Sequence, residues 1–238
     1  MEIFPAIDLK RGKCVRLTQG DFAQEIVFSD SPVDQAMAFK SAGFKYLHIV
    51  DLDGALSGDN TNFREIEKII QSTGMSVQVG GGIRTLESAE KYFAIGVDRV
   101  IIGTIAITNP ELFRSIATKH PKKIILGLDV RNGYVAVNGW VEDSAILASD
   151  LLAKMNDLEL FGVVCTDILK DGMMLGPNFD FTAGLMAHSK HKIIASGGVS
   201  CLQDLQLLHE RKIFGAIVGK AIYTNAISVD DLYNFSAK

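Results

Sequence analysis

Short, nearly continuous apolar runs recur along this chain, and longer amphipathic segments separate them. The runs at 3–7, 46–50, 76–79, 99–102, 123–128, 162–165, 192–195 and 216–218 predict strands. Several are almost entirely Val, Ile and Leu, the pattern of parallel strands covered on both faces. Apolar positions at helical spacing predict helices over 32–42, 62–72, 86–94, 109–118, 144–155, 179–187 and 202–210, with a short final pair between 220 and 235. Eight strands alternating with eight helical segments imply βα units. The expected fold is a single (β/α)8 TIM barrel over residues 1–238, and 238 residues is close to the size of about 250 typical of that fold.

The chain also repeats itself at half its length. Ala6-Ile7-Asp8-Leu9-Lys10-Arg11-Gly12 matches Gly127-Leu128-Asp129-Val130-Arg131-Asn132-Gly133 at an offset of 121 residues. Gly81-Gly82-Ile83 matches Gly197-Gly198-Val199, and the segment from Gly103-Thr104 matches that from Gly219-Lys220, both at an offset of 116. Two half-barrels of four βα units each account for this.

Composition narrows the partners. The chain is 47% hydrophobic and 22% charged, with a net charge of −4. Its Lys and Arg residues are scattered, and the run Lys119-His120-Pro121-Lys122-Lys123 reads as a helix end. A nucleic-acid surface would need a basic stripe. No run approaches the ~18 apolar residues that cross a bilayer. Cys14, Cys165 and Cys201 lack metal-ligand or disulfide spacing. The expectation is a monomeric cytoplasmic enzyme with no nucleic-acid or membrane partner.

In a barrel of this kind the loops after the strands form the active face. Asp8 and Asp129 end the first and fifth strands, which lie opposite each other, so their carboxylates should meet across the mouth. Each is either a helix cap or an acid/base group; their internal symmetry favours catalysis. Gly80-Gly81-Gly82 and Gly103-Thr104 follow strands three and four, and Ser196-Gly197-Gly198 and Gly219-Lys220 follow strands seven and eight. Such turns are either tight βα connections or cradles whose amides approach a phosphate. Two cradles flanking two aspartates imply an elongated ligand with a phosphate at each end. The loops 10–21 and 131–143 could close over it as lids. Trp140, in the second, is a stacking partner for a planar ring or a packed anchor. His48 is a ligand contact or an interior histidine, Arg84 a phosphate clamp or a loop cap, and Asp171 a site residue or a turn former. Thr166 stands where the first half has Val50, which favours a role beside Asp129. Gly20, Asp51 and Gly176 complete the expected substrate-binding set.

These residues carry a resemblance. Pro5-Ala6-Ile7-Asp8-Leu9, His48-Ile49-Val50-Asp51-Leu52-Asp53-Gly54-Ala55, Gly80-Gly81-Gly82-Ile83-Arg84, Gly139-Trp140, Asp171-Gly172 with Gly176-Pro177-Asn178, Ala195-Ser196-Gly197-Gly198-Val199 and Val218-Gly219-Lys220-Ala221 span the chain. Together they resemble the phosphoribosylformimino-aminoimidazole-carboxamide ribotide isomerase family of histidine biosynthesis. Met173 departs from the threonine usual there, which touches one loop hydrogen bond and neither aspartate. The resemblance implies an Amadori rearrangement of an aminoaldose to an aminoketose, with Asp8 as general base and Asp129 as general acid. It implies no metal and no cofactor, because nitrogen is the electron sink. Asp129 must then be protonated at rest, far from the carboxylate's usual ~3.9.

Three rivals differ at readable positions. The related cyclase subunit of imidazole glycerol phosphate synthase usually has Cys where this chain has Ala6. The bifunctional relative that also takes phosphoribosylanthranilate typically has Arg where this chain has Asn138. A non-catalytic binding barrel would not need both aspartates.

Overall fold

Among the described residues twelve strands hydrogen-bond into one sheet, and eight of them close on themselves. The computed structural model describes residues 1–18, 21–58, 61–137, 139–140 and 142–237. Its strands are β1 (Glu2–Lys10), β2 (Lys13–Thr18), β3 (Asp21–Ser29), β4 (Tyr46–Asp51), β5 (Ser76–Gly80), β6 (Arg99–Ile102), β7 (Ile124–Arg131), β8 (Tyr134–Val137), β9 (Glu142–Leu147), β10 (Gly162–Asp167), β11 (Lys192–Ser196) and β12 (Gly215–Val218). The parallel ring runs β1-β4-β5-β6-β7-β10-β11-β12 and returns to β1, which sets β1 and β7 on opposite walls. This is a (β/α)8 barrel, as the alternation of runs implied.

The helices are α1 (Pro32–Ser41), α2 (Leu52–Ser57), α3 (Phe63–Thr73), α4 (Leu86–Ala94), α5 (Ile105–Thr108), α6 (Pro110–Lys119), α7 (Ala148–Lys154), α8 (Phe179–Leu185), α9 (Leu202–Glu210), α10 (Lys220–Tyr223) and α11 (Val229–Ser236). Their starts follow capping chemistry. Ser31, Thr85, Asn109, Asn178 and Ser228 each accept from a backbone N–H of the first turn, and Pro32 and Pro110 occupy first helical positions. No helix among the described residues is long and apolar enough to cross a membrane.

Three expectations need correction. Where loops are expected at 10–21 and 131–143, the described residues form antiparallel β-hairpins, β1–β2–β3 and β7–β8–β9. Each turns on two residues of positive φ, Arg11 (51°) with Gly12 (73°) and Asn132 (52°) with Gly133 (86°), the geometry of a tight hairpin turn. The helix expected over 144–155 is a strand as far as Leu147, because Glu142, Asp143 and Leu147 pair with β8, and it becomes helical only at Ala148. The helix expected to reach 187 stops at Leu185 and continues as a 3-10 turn, Met186–His188.

Two apolar compartments hold the barrel. The larger lies between strands and helices, with Ile7, Leu47, Ile49, Ile66, Phe39 and Phe113 among its buried members. The smaller fills the barrel interior with Phe4, Ala6, Ile125, Val164, Ile194 and Ile217. Below it the Arg99 guanidinium stacks on Phe161 at 4.2 Å, and Lys192 sits over Phe214 at 4.4 Å. The N-terminal end is thereby plugged, and open space remains only towards the C-terminal ends of the strands.

The duplicated glycines are forced by packing. A Cβ on Gly81 (φ 104°) would lie 2.1 Å from the Asp51 carbonyl oxygen, and one on Gly198 (φ 89°) would lie 2.5 Å from that of Gly176. Each pair thus lets the turn after one strand nest on the loop after its neighbour. Gly81→Ala should cost upwards of about 2 kcal/mol through strain and clash together, read as a lowered thermal midpoint; an unchanged midpoint would refute the packing argument.

Candidate active site

The strand register sets the acidic groups. Asp8 on β1 is level with Val50 on β4, and Asp129 on β7 is level with Thr166 on β10. All four point into one cavity of about 270 Å³ at the mouth of the barrel. The two halves then diverge. Thr166 and the indole of Trp140 both donate side-chain hydrogen bonds to Asp129. Val50 offers Asp8 no such group, and the partner of Asp8 comes instead from the first hairpin: Arg16 Nη1 lies 2.6 Å from Asp8 Oδ2. Arg16 is itself fixed by donating to the Ala6 carbonyl at 2.5 Å and by lying 4.9 Å over the Tyr223 ring.

Burial and charge separate the carboxyl groups. Burial pushes the Asp129 pKa upward, and the Trp140 and Thr166 bonds only partly oppose it. Asp171, in the loop after β10, is pushed up to about 7, first by burial and then by the charge of Asp8, with Arg16 and Lys220 acting against it and Asp129 with it. One carboxyl that feels both aspartates places all three in a common cluster. His48 is driven down to about 3 by burial and by the Arg16 charge, so it is neutral at physiological pH. A Thr166→Val variant, which keeps shape and removes the hydroxyl, should lower kcat ten- to hundredfold, about the worth of one bond to a reacting charged group. Steady-state kinetics on the folded variant decides this.

The glycine turns flank the carboxyl cluster on either side. Gly81, Gly82, Gly103 and Thr104 line one end of the cavity, and Gly197, Gly198, Gly219 and Lys220 the other. Lys220 Nζ donates to the Gly172 carbonyl at 2.7 Å. Arg84 reaches the cavity wall but donates to the Ala55 carbonyl at 2.9 Å, so it braces the loop of α2. Trp140 lies in the wall with its backbone at positive φ (73°), and Arg131 donates to its carbonyl at 3.2 Å.

Not every expected residue is there. Asp51 is fully buried outside the cavity, where it caps α2 through Gly54 N–H at 2.9 Å and accepts from Asn62 Nδ2 at 2.7 Å. Its mate in the second half, Asp167, accepts from Asn178 Nδ2 at 2.7 Å. These are duplicated braces for the loops after β4 and β10. Gly176 contributes packing against Gly198 rather than a cavity wall. Gly20 lies outside the described residues. Among the described residues no cluster of three or more His, Cys, Asp or Glu is placed to hold a metal ion. Cys14 and Cys165 are buried, as their apolar runs implied, and Cys201 is exposed.

Arg16 was not singled out from the sequence. Its signal is a cation inside the apolar run Cys14-Val15-Arg16-Leu17, legible only once that segment is known to be a strand.

A parallel barrel with facing carboxyl groups between two glycine-lined turns is an acid–base enzyme scaffold. The chain belongs to the histidine biosynthesis protein family, whose model matches residues 2–228. It is 47% identical over 232 residues, 98% of this chain and 97% of the other, to a 1-(5-phosphoribosyl)-5-((5-phosphoribosylamino)methylideneamino)imidazole-4-carboxamide isomerase from Listeria welshimeri. Identically named isomerases are 46% identical in Thermodesulfovibrio yellowstonii, covering 97% and 95% of the two chains, and 45% identical in Bacillus cereus strain Q1, covering 98% and 97%.

Proposed function

We propose that this chain catalyses the isomerisation for which its relatives are named, an Amadori rearrangement of the formimino ribotide from aminoaldose to aminoketose. The observation that carries the reading is the convergence of Asp8, Asp129 and Asp171 on one cavity with a glycine-lined turn at either end. The relatives' name describes a molecule with a phosphoribosyl group at each end, and the two turns suit its two phosphates.

The chemistry follows from the placement of the carboxyl groups. Asp129, whose pKa burial raises, gives a proton to the furanose ring oxygen, and the C1–O bond breaks as the glycosidic nitrogen forms a Schiff base. Asp8, ion-paired with Arg16, takes the proton from C2, and the electrons move to nitrogen as an enolamine. Return of that proton from Asp8 to C1, with loss of the C2 hydroxyl proton to the Asp129 carboxylate, then gives the aminoketose and restores both groups. Thr166 orients the acid, and Trp140 offers its ring face to the planar imidazole. The chain acts as a monomer in this reading, and the buried thiols of Cys14 and Cys165 suit the reducing cytoplasm.

The test is a spectroscopic assay with the purified formimino ribotide. Turnover to the phosphoribulosyl isomer without added metal or cofactor is expected. Tight binding without turnover would instead make this a binding barrel.

A further inference from the structure

His48 and Gln78 form a buried polar pair in the floor of the barrel, in register on β4 and β5. Gln78 Nε2 lies 3.0 Å from His48 Nδ1. An amide nitrogen can only donate, so Nδ1 accepts and the ring proton resides on Nε2. His48 lines the cavity, whereas Gln78 is fully buried and does not. Gln78 also leaves its own Oε1 buried without a partner. A buried carbonyl left unpaired is costly, and an apolar residue of the same size would fill this place without that cost. What the amide supplies here is therefore the direction of its N–H.

We infer that Gln78 is a positioning residue that fixes His48 as the Nε2–H tautomer, making it a neutral donor to an uncharged oxygen of the ligand. The oxygen is uncharged because the ring is held neutral: Arg16, the cation that reaches it, and burial both oppose an imidazolium. A phosphate at this position would call for the charged ring. The floor thus reads a carbonyl or hydroxyl oxygen of the ligand's middle, while the phosphates are held at the two ends. Nothing in the sequence motif around His48 distinguishes the two tautomers; the cross-strand register with Gln78 does.

The first test needs no ligand. In protein labelled with 15N-histidine at pH 7, His48 should show a protonated Nε2 and an unprotonated Nδ1. The opposite assignment would mean that the Gln78 amide is turned round, and would overturn the inference. The second test rests on the isomerase reading. Gln78→Met keeps the volume and frees the ring, and Gln78→Leu likewise removes the amide donor without adding a new hydrogen-bonding group. Both should raise KM for the formimino ribotide about tenfold, the worth of one hydrogen bond, and change kcat less than about threefold. A purely structural role for Gln78 would lower the thermal midpoint and leave the KM of the folded fraction unchanged, which sinks the proposal. Should the wild-type protein fail to turn the ribotide over, the isomerase reading falls, while the tautomer is still decided by the spectrum.

Discussion

Asp129→Asn and Asp8→Asn should each reduce turnover of the formimino ribotide at least a thousandfold while leaving the fold intact. Asparagine matches the shape of the carboxyl group but can neither give up a proton as an acid nor accept one as a base. General acid–base groups are worth about 10²–10⁴ in rate, and here ring opening and C2 deprotonation depend on different carboxyls, so neither step can substitute for the other. The two variants should fail at different points. Asp8→Asn leaves Arg16 without its ion-pair partner, yet Thr166, Trp140 and the acid remain, so the ring can open and the Schiff base should accumulate. Asp129→Asn blocks the earlier step and should leave bound substrate closed. Rapid quenching after a single turnover distinguishes an open from a closed sugar. If Asp129→Asn retained full activity, the proton donor would have to be sought at Asp171.

The barrel strands were legible because each is buried on both faces, and burial on both faces writes itself as an unbroken apolar run. The hairpins were not, since their sequences are mixed: Lys13-Cys14-Val15-Arg16-Leu17-Thr18 shows no clean period, although Cys14 to Leu17 are all buried. Asn132-Gly133 is among the strongest short-range indications of a hairpin, but its repeat mate, Arg11-Gly12, carries no such signal. At 144–147, Ser-Ala-Ile-Leu runs directly into a helix whose apolar spacing continues it. Only pairing with β8, a contact between segments, makes it a strand.

The site divides along the same line. Asp8, Asp129 and the glycine turns are marked by duplication and Thr166 by a break in it, where the first half has Val50, and each sits at a strand end. Asp51 has the same marks and is nonetheless a brace, because its carboxylate is consumed by Gly54 and Asn62. A single sequence lists a residue's chemical capacity but not what already occupies it. The partners of Asp8 and His48, Arg16 and Gln78, lie eight and thirty positions away, and register alone brings them together.

The asymmetry between the halves also sets how the site responds to pH. Asp171 has no counterpart in the first half, where Ala55 stands at the nearest repeat position, and it is held with a pKa of about 7 against two neighbouring aspartates. Below that value it is neutral, and the cluster carries the charge of Asp8 balanced by Arg16. Above it, a second carboxylate appears among groups that must shelter a protonated Asp129 and admit a bisphosphorylated anion. The sign is therefore definite: kcat/KM should be level just below pH 7 and fall as pH rises through the Asp171 value, by about tenfold per unit and so about a hundredfold near pH 9. Asp171→Asn keeps the neutral shape at every pH and should abolish that limb. A limb that persists unshifted in Asp171→Asn would assign it to Asp129, in which case Asp171 contributes only its volume and its bond-forming oxygens to the cluster.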